Sequence, residues 1–223
     1  MMRLAGRDVW VFDLDNTLYP TDNTIYDQIG ERMTAYIARL AGVSHDDALA
    51  LREKYFNAYG ATLVGLVRHH NADPADFLAD VHDVSLDVVT PDPELAQLIS
   101  ALPGRRIVFT NGGRAYAHAI LDRIGVADAF ERVVALEDVG FVPKPEREAF
   151  ARLIALCDIA PERTTMFEDH ARNLETAAEF GFATVLVGAG ATIGGVVQYA
   201  TPRLHPFLRA LTAPRIDREG AAP

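Results

Sequence analysis

The chain has little with which to staple, anchor or coat itself. Its 223 residues include one cysteine, Cys157, so no intrachain disulfide can form and no cysteine-rich zinc site is available. That usage fits a reducing compartment, and a cytoplasmic location is expected. No apolar run approaches the ~18 residues needed to cross a bilayer, because Asp, Glu, Lys or Arg interrupts each one. Met1 to Asp8 also lacks the apolar segment of a signal peptide. Basic residues are in deficit, with 21 Lys and Arg against 31 Asp and Glu and a formal net charge of −10. Affinity for a nucleic-acid backbone comes largely from Lys and Arg displacing condensed counterions, so a polyanion-binding surface is excluded while a single nucleotide is not.

What is present is an ordinary globular composition, 49% hydrophobic, in a chain long enough for one or two domains with a substantial core. Five short apolar or β-branched runs, Val9–Leu14, Arg106–Thr110, Arg132–Leu136, Thr164–Phe167 and Ala183–Val187, read as buried strands. Helical segments at Arg114–Ile124, Pro145–Cys157 and Ala171–Phe180 alternate with the later strands, which predicts an α/β fold with a doubly wound parallel sheet. Residues 15–105 are far more than a crossover needs, so something is inserted there. Ile25, Ile29, Met33, Ile37 and Leu40 recur at helical spacing until Gly42. Ser44 then caps a second helix carrying Ala48, Leu51, Tyr55 and Tyr59. Shorter helices are expected at Leu63–His70 and Pro74–Val81, with Pro91 and Pro93 marking the return to the sheet. The expected division is therefore a Rossmann-like core over 1–18 and 91–188, a helical cap over 19–90, and an extension over 189–223. In the extension Val196–Leu211 can form a docked helix, and the last dozen residues read as a loose terminus.

Four segments carry chemistry, and each falls at a strand's carboxyl end, where ligands bind in such sheets. Asp13 and Asp15 bracket Leu14, and strand alternation lets both acids face one pocket, although aspartates also cap turns after strands. Thr110-Asn111-Gly112-Gly113 offers a hydroxyl, an amide and backbone donors to a small oxyanion, with the N-terminus of the next helix aimed at the same place; a plain capped turn uses the same residues. Lys144 lies between Pro143 and Pro145, which hold its base while the ammonium reaches outward; an isolated lysine is otherwise solvated. Glu168 and Asp169 end the fourth strand. If the first and fourth strands are neighbours, their carboxylates converge as hard oxygen ligands better suited to Mg²⁺ than to zinc. Glu168 reads equally as a capping acid or as a support behind the ligands.

In this order Asp13-Leu14-Asp15-Asn16-Thr17, Thr110-Asn111, Lys144 and Glu168-Asp169 resemble the four motifs of the haloacid dehalogenase superfamily, over about residues 8–188. More narrowly, Asp13 to Pro20, Tyr59-Gly60-Ala61-Thr62-Leu63, Val81-His82-Asp83, Pro91 to Leu95, Met166 to Asp169 and Arg172-Asn173-Leu174 are similar to the pyrimidine 5′-nucleotidase branch. Asn173 departs from the superfamily's commonest fourth motif, which carries a second Asp and leaves open whether Glu168 or water completes the metal shell. The resemblance implies a Mg²⁺-dependent phosphatase. In it Asp13 is the nucleophile and Asp15 the general acid and base, while Lys144, Thr110, Asn111 and Gly112 bind the phosphoryl oxygens. Asp13, the Asp15 carbonyl, Asp169 and Glu168 are the candidate metal ligands. Substrates such as UMP and CMP are expected, with another small phosphate ester as the alternative; no membrane or nucleic-acid polymer is expected as a partner. A dehalogenase needs neither Asp15 nor a metal, and a catalytically idle module on this fold predicts broken motifs, whereas these are intact. Tyr59, Thr62, His82 and Asp83 are candidate contacts to base or sugar, with a hydrogen-bonded structural role equally open to His82. Trp10, Phe12 and Cys157 read as core, and His69 and His70 as a solvated helix end.

Overall fold

The computed structural model describes residues 4, 6–20 and 24–213. Its centre is β1 (Val9–Phe12), where successive side chains enter opposite cores. Trp10 and Phe12 join one cluster, and Val9 and Val11 the other. That is why the run is apolar without interruption: a strand buried on both faces has no solvent side. β1 pairs in parallel with β2 (Arg105–Phe109) on one side and β4 (Thr164–Glu168) on the other, with Phe12 opposite Val108 and Phe167. With β3 (Arg132–Val134), β5 (Ala183–Val187) and β6 (Tyr199–Thr201), the order across this parallel sheet is β3-β2-β1-β4-β5-β6. The rings of Phe12 and Phe167 stack 4.5 Å apart across the β1–β4 pair.

Between β1 and β2 the chain forms α1 (Thr24–Ala41), α2 (His45–Tyr59), α3 (Thr62–His70), α4 (Pro74–Val81) and α5 (Pro93–Ser100). Local chemistry sets their ends. Ser44 accepts a hydrogen bond from Asp47 N at the start of α2, and Gly60 closes that helix in the left-handed region. Asp73-Pro74 and Asp92-Pro93 open α4 and α5 with an aspartate cap and a proline in the first turn. α6 (Arg114–Ile124), α5 and α9 (Leu204–Thr212) cover the core face that holds Trp10 and Phe12. The opposite face takes α7 (Arg147–Cys157), α8 (Ala171–Phe180) and the apolar sides of α2, α3 and α4.

Three sequence expectations shift. β1 stops at Phe12, so Asp13 to Asp15 form a turn rather than strand, with Asn16 in the left-handed region at φ 60°. Part of the segment expected as a helix from Val196 is strand β6, and the helix begins at Leu204. α7 begins at Arg147, because Pro145 belongs to the loop that carries Lys144. The expected loose terminus falls on residues 214–223, outside the described residues. Among the described residues, no helix is long and apolar enough to cross a membrane.

Candidate active site

Because β1 and β4 are neighbours, the acids at their ends meet. Asp13 N donates to Phe167 O at 2.9 Å, which extends the ladder one residue past the strand and fixes the Asp13 side chain beside Glu168. Between them sits Lys144, only 2% exposed. Its ammonium donates to Asp13 Oδ1 at 2.6 Å, to Glu168 Oε2 at 2.9 Å and to the Phe109 carbonyl at 2.8 Å, so all three protons have acceptors. Burial alone lowers a lysine pKa, but Asp13 and Glu168 outweigh it and hold Lys144 above its ordinary value. Burial pushes Asp13 up to about 7, Glu168 adds to the rise, and Lys144 opposes it. Glu168 is likewise raised by burial against the pull of Lys144. Asp13, Glu168 and Asp169 each bring an oxygen within 4.8 Å of the others. Among the described residues, this acidic trio is the group compact enough to hold a metal ion. Both oxygens of Glu168 have donors, Lys144 on one and His170 N on the other at 3.2 Å. Asn16 Nδ2 donates to Asp169 Oδ2 at 2.9 Å.

Asp15 belongs to the same turn but to a different network. Leu14, fully buried, anchors the turn in the core, and the Asp15 carboxylate takes hydrogen-bond partners other than Lys144. Its Oδ1 accepts from Tyr19 Oη at 2.5 Å and from Tyr116 Oη at 2.8 Å, and the two hydroxyls are 2.8 Å apart. Burial raises the Asp15 pKa, and the two tyrosine hydrogen bonds oppose that rise. Tyr116 in turn stacks on His82 at 4.3 Å. The Asp15 side chain lies outside the acidic trio, which leaves the expectation that its main-chain carbonyl is a ligand untouched. Convergence of Asp13 and Asp15 is achieved by the turn and not by strand alternation.

The segment after β2 also differs from expectation in detail. Asn111, expected to face a phosphoryl oxygen through its side chain, uses that amide to clasp the Lys144 backbone. Nδ2 donates to Lys144 O at 3.0 Å, and Oδ1 accepts from Lys144 N at 2.8 Å. Asn111 thereby positions the loop that inserts the lysine. Thr110 Oγ1 accepts from Gly112 N at 2.9 Å, which leaves the Thr110 hydroxyl proton to be donated elsewhere. The first N–H of α6, on Arg114, is taken by the Glu137 carboxylate at 2.9 Å and 3.1 Å, so that helix end is already capped by an internal acid.

A cavity of about 480 Å³ opens between these turns and the helices α1–α4. Asp15, Asn111, Gly112 and Pro143 line it from the sheet side, and Tyr26, Met33, Arg52, Phe56, Thr62 and His82 from the helical side. Of the four residues expected to contact a base or sugar, Thr62 and His82 reach this cavity. Tyr59 is instead bonded to His69 at 2.8 Å, and Asp83 pairs with Arg32 at 2.8 Å. Burial lowers the His82 pKa to about 4, despite the opposing effect of the Leu78 carbonyl, so the ring is neutral at pH 7. Its Nδ1 is buried without a hydrogen-bond partner among the described residues, while the Leu78 carbonyl acts on the same ring, so a structural role for His82 stays open beside a contact to ligand. His69 and His70 are taken up by the Tyr59 and Tyr55 hydroxyls. Arg52, Tyr26 and Phe56 were not foreseen, because nothing local in sequence marks which face of a helix will cover a distant strand end.

Residues 8–181 match the haloacid dehalogenase-like hydrolase family, and the chain belongs to that family. It is 24% identical over 197 residues to Phosphate metabolism protein 8 of Saccharomyces cerevisiae, a match covering 81% of this chain and 61% of the yeast protein. The chain thus spans less than two thirds of that relative's length. It is 25% identical over 188 residues to the (S)-2-haloacid dehalogenase of Xanthobacter autotrophicus, covering 79% of this chain and 73% of the other. Among solved structures, a HAD phosphatase from Thermococcus onnurineus superposes with a TM-score of 0.62 at 18% identity, covering 92% of this chain and 97% of that one. At that identity the likeness concerns the fold.

Proposed function

We propose that this hydrolase is a Mg²⁺-dependent phosphatase of small phosphomonoesters that works through an aspartyl-phosphate on Asp13, with pyrimidine nucleoside 5′-monophosphates as the favoured substrates. The observation that carries the reading is the pairing of two separate acid networks at one strand end. Asp13 is gripped by a buried lysine beside Glu168 and Asp169, while Asp15 lines the adjoining cavity on its own tyrosine pair. A haloacid dehalogenase has use for the first network only. The aromatic walls formed by Tyr26 and Phe56 favour a flat leaving group such as a nucleobase.

In this mechanism a carboxylate oxygen of Asp13 attacks phosphorus and the bond to the leaving oxygen breaks. Asp15 gives that oxygen its proton. A water then attacks the phosphorus of the aspartyl-phosphate and passes a proton to Asp15, releasing inorganic phosphate and restoring both acids. Lys144 keeps Asp13 in place and offsets negative charge as the phosphoryl group arrives; the Thr110 hydroxyl and the Gly112 region bind its remaining oxygens. The donor set of Asp13 and Asp169 suits a hard cation, and these two side chains with the Asp15 main-chain carbonyl would hold Mg²⁺. Bound there, the ion supplies electrostatic relief between a carboxylate and a phosphate dianion. Glu168, with both oxygens already bonded, serves to hold Lys144.

The test is phosphate release from a panel of phosphomonoesters with Mg²⁺ and then with EDTA, run beside halide release from 2-chloropropionate. We expect phosphate release that EDTA abolishes and Mg²⁺ restores, with UMP and CMP among the better substrates. Metal-independent turnover refutes the mechanism, indifference to nucleotides refutes the substrate class, and halide release without phosphate release makes the chain a dehalogenase.

A further inference from the structure

The helical wall of the cavity contains one arginine without an acid. Arg32 and Arg39 on α1 both reach Asp80, and Arg32 also reaches Asp83. Arg52, half-buried in the middle of α2, pairs with no carboxylate among the described residues, although Glu53 lines the same cavity. Its place is nonetheless built. Nη1 donates to Gly30 O at 2.6 Å and to Thr34 Oγ1 at 2.9 Å, and that buried hydroxyl itself donates to Gly30 O at 2.9 Å. A Cβ on Gly30 would lie 3.0 Å from Nη1, so any larger residue there would push the guanidinium aside by a few tenths of an ångström. Glycine is disfavoured inside a helix, and here it stands within an 18-residue helix at the point where the arginine crosses. The Arg52 carbonyl accepts from Thr62 Oγ1 at 3.3 Å, tying the same residue to α3.

These anchors engage one terminal nitrogen. The edge formed by Nε and Nη2, the side of a guanidinium that pairs with two acceptors in one plane, has no partner among the described residues. Of the other basic groups nearby, Lys144 is surrounded by its three acceptors and His82 is neutral, while the Arg172 guanidinium lies beside Gly60 at the edge of the cavity and has no such anchoring pair among the described residues.

We infer that Arg52 is the specificity-determining residue of this cavity and selects leaving groups that present two coplanar acceptor atoms, such as the O2–N3 edge of cytosine or a carboxylate. The inference rests on the phosphatase reading and narrows it: uracil carries a proton on N3 and offers no such acceptor pair, so among pyrimidine nucleotides the rule favours CMP over UMP. Gly30 and Thr34 act as positioning residues that hold the guanidinium flat against α1.

Three esters separate the sources of that chemistry: CMP carries the nucleobase edge, 2-phosphoglycolate a carboxylate, and phenyl phosphate neither. Turnover is measured for the wild type, Arg52→Met, Arg52→Lys and Gly30→Ala, with circular dichroism to verify folding. For the acceptor-bearing ester that is recognised, kcat/KM relative to phenyl phosphate is expected to fall roughly 10- to 100-fold in Arg52→Met, the loss carried by KM. Lysine, with charge but no fork, should restore little of it, and Gly30→Ala should reproduce part of it by displacing Nη1. A fall with CMP assigns the nucleobase edge, and a fall confined to 2-phosphoglycolate assigns a carboxylate. Unchanged ratios in all three variants, or a loss carried by kcat alone, overturn the inference while phenyl phosphate turnover leaves the phosphatase reading standing. A wild type that hydrolyses none of the three overturns both.

Discussion

Replacing Lys144 with methionine keeps most of the side-chain volume but removes the ammonium from between Asp13 and Glu168. The lysine is 2% exposed and Glu168 1%, so water cannot take over the lost contacts. Two carboxylates and the Phe109 carbonyl lose donors at 2.6 Å, 2.9 Å and 2.8 Å together. Breaking one buried ion pair by deleting a partner costs about 3–5 kcal/mol. For a chain of this size that corresponds to a fall in Tm of roughly 6–20 °C. The sign of the pH effect follows from the same groups. Without the ammonium, the folded-state pKa values of Asp13 and Glu168 rise further above their unfolded values, because burial and mutual repulsion remain unopposed. Wild-type Asp13 ionises through a pKa of about 7 while the variant's acids stay protonated beyond that, so the two stabilities part mainly above pH 6 and the penalty grows from pH 6 to pH 8. Urea denaturation of both proteins at pH 6, 7 and 8 in EDTA measures it. A difference below about 1 kcal/mol at pH 7, or one that does not narrow as pH falls, refutes the view that Lys144 neutralises a buried acid pair.

Asp13→Asn removes the attacking oxygen's charge and should lower phosphate release by more than about 10³-fold with the fold retained by circular dichroism; near-normal turnover removes Asp13 from its role. Tyr116→Phe deletes one of the two donors to Asp15 and should reduce kcat by roughly 3- to 10-fold with little change in KM, as steady-state kinetics will show. His82 is held neutral with its pKa lowered to about 4 from an unfolded value near 6.5. The unfolded chain therefore takes up a proton first, and stability contributed by the neutral ring is lost as pH falls from about 6.5 toward 4, at up to about 1.4 kcal/mol per pH unit. His82→Leu should flatten that part of the urea-midpoint profile, and an unaltered slope counts against the burial of a neutral ring.

The sheet was legible because its strands are continuous apolar runs. Val9 to Phe12 and Thr164 to Phe167 have no solvent face and so tolerate no alternation. β6 escaped because Tyr199–Thr201 is three residues long and half-buried at two of them, too short for any period to register. The site was legible at the level of residue types: Asp13, Lys144, Glu168 and Asp169 do gather. Lys144 is moreover one of two lysines in the chain, a scarcity that singles it out. What stayed hidden were partnerships across the sequence. The amide of Asn111 is committed to the backbone of Lys144, and Glu137 rather than a ligand satisfies the start of α6; no spacing rule exposes either. Arg52 was hidden for a third reason. In an amphipathic helix a charged residue reads as solvated, and only the approach of α1 through Gly30 shows that it is held.

The position of β1 at the middle of the sheet has a kinetic side. Val9 is synthesised early, yet its neighbours are Arg105 on one flank and Thr164 on the other, so the central strand must wait for partners that arrive much later. Such distant pairings carry a large loop-closure entropy and form slowly compared with helix–helix contacts between sequence neighbours. On a ribosome, the helices α1–α4 can therefore gather while the strand that bears Asp13 is still unpaired, and Glu168 and Asp169 join only when most of the chain has emerged. The surroundings of Asp13 are consequently completed late, and a partially made chain carries the helical wall of the cavity without the acids it faces.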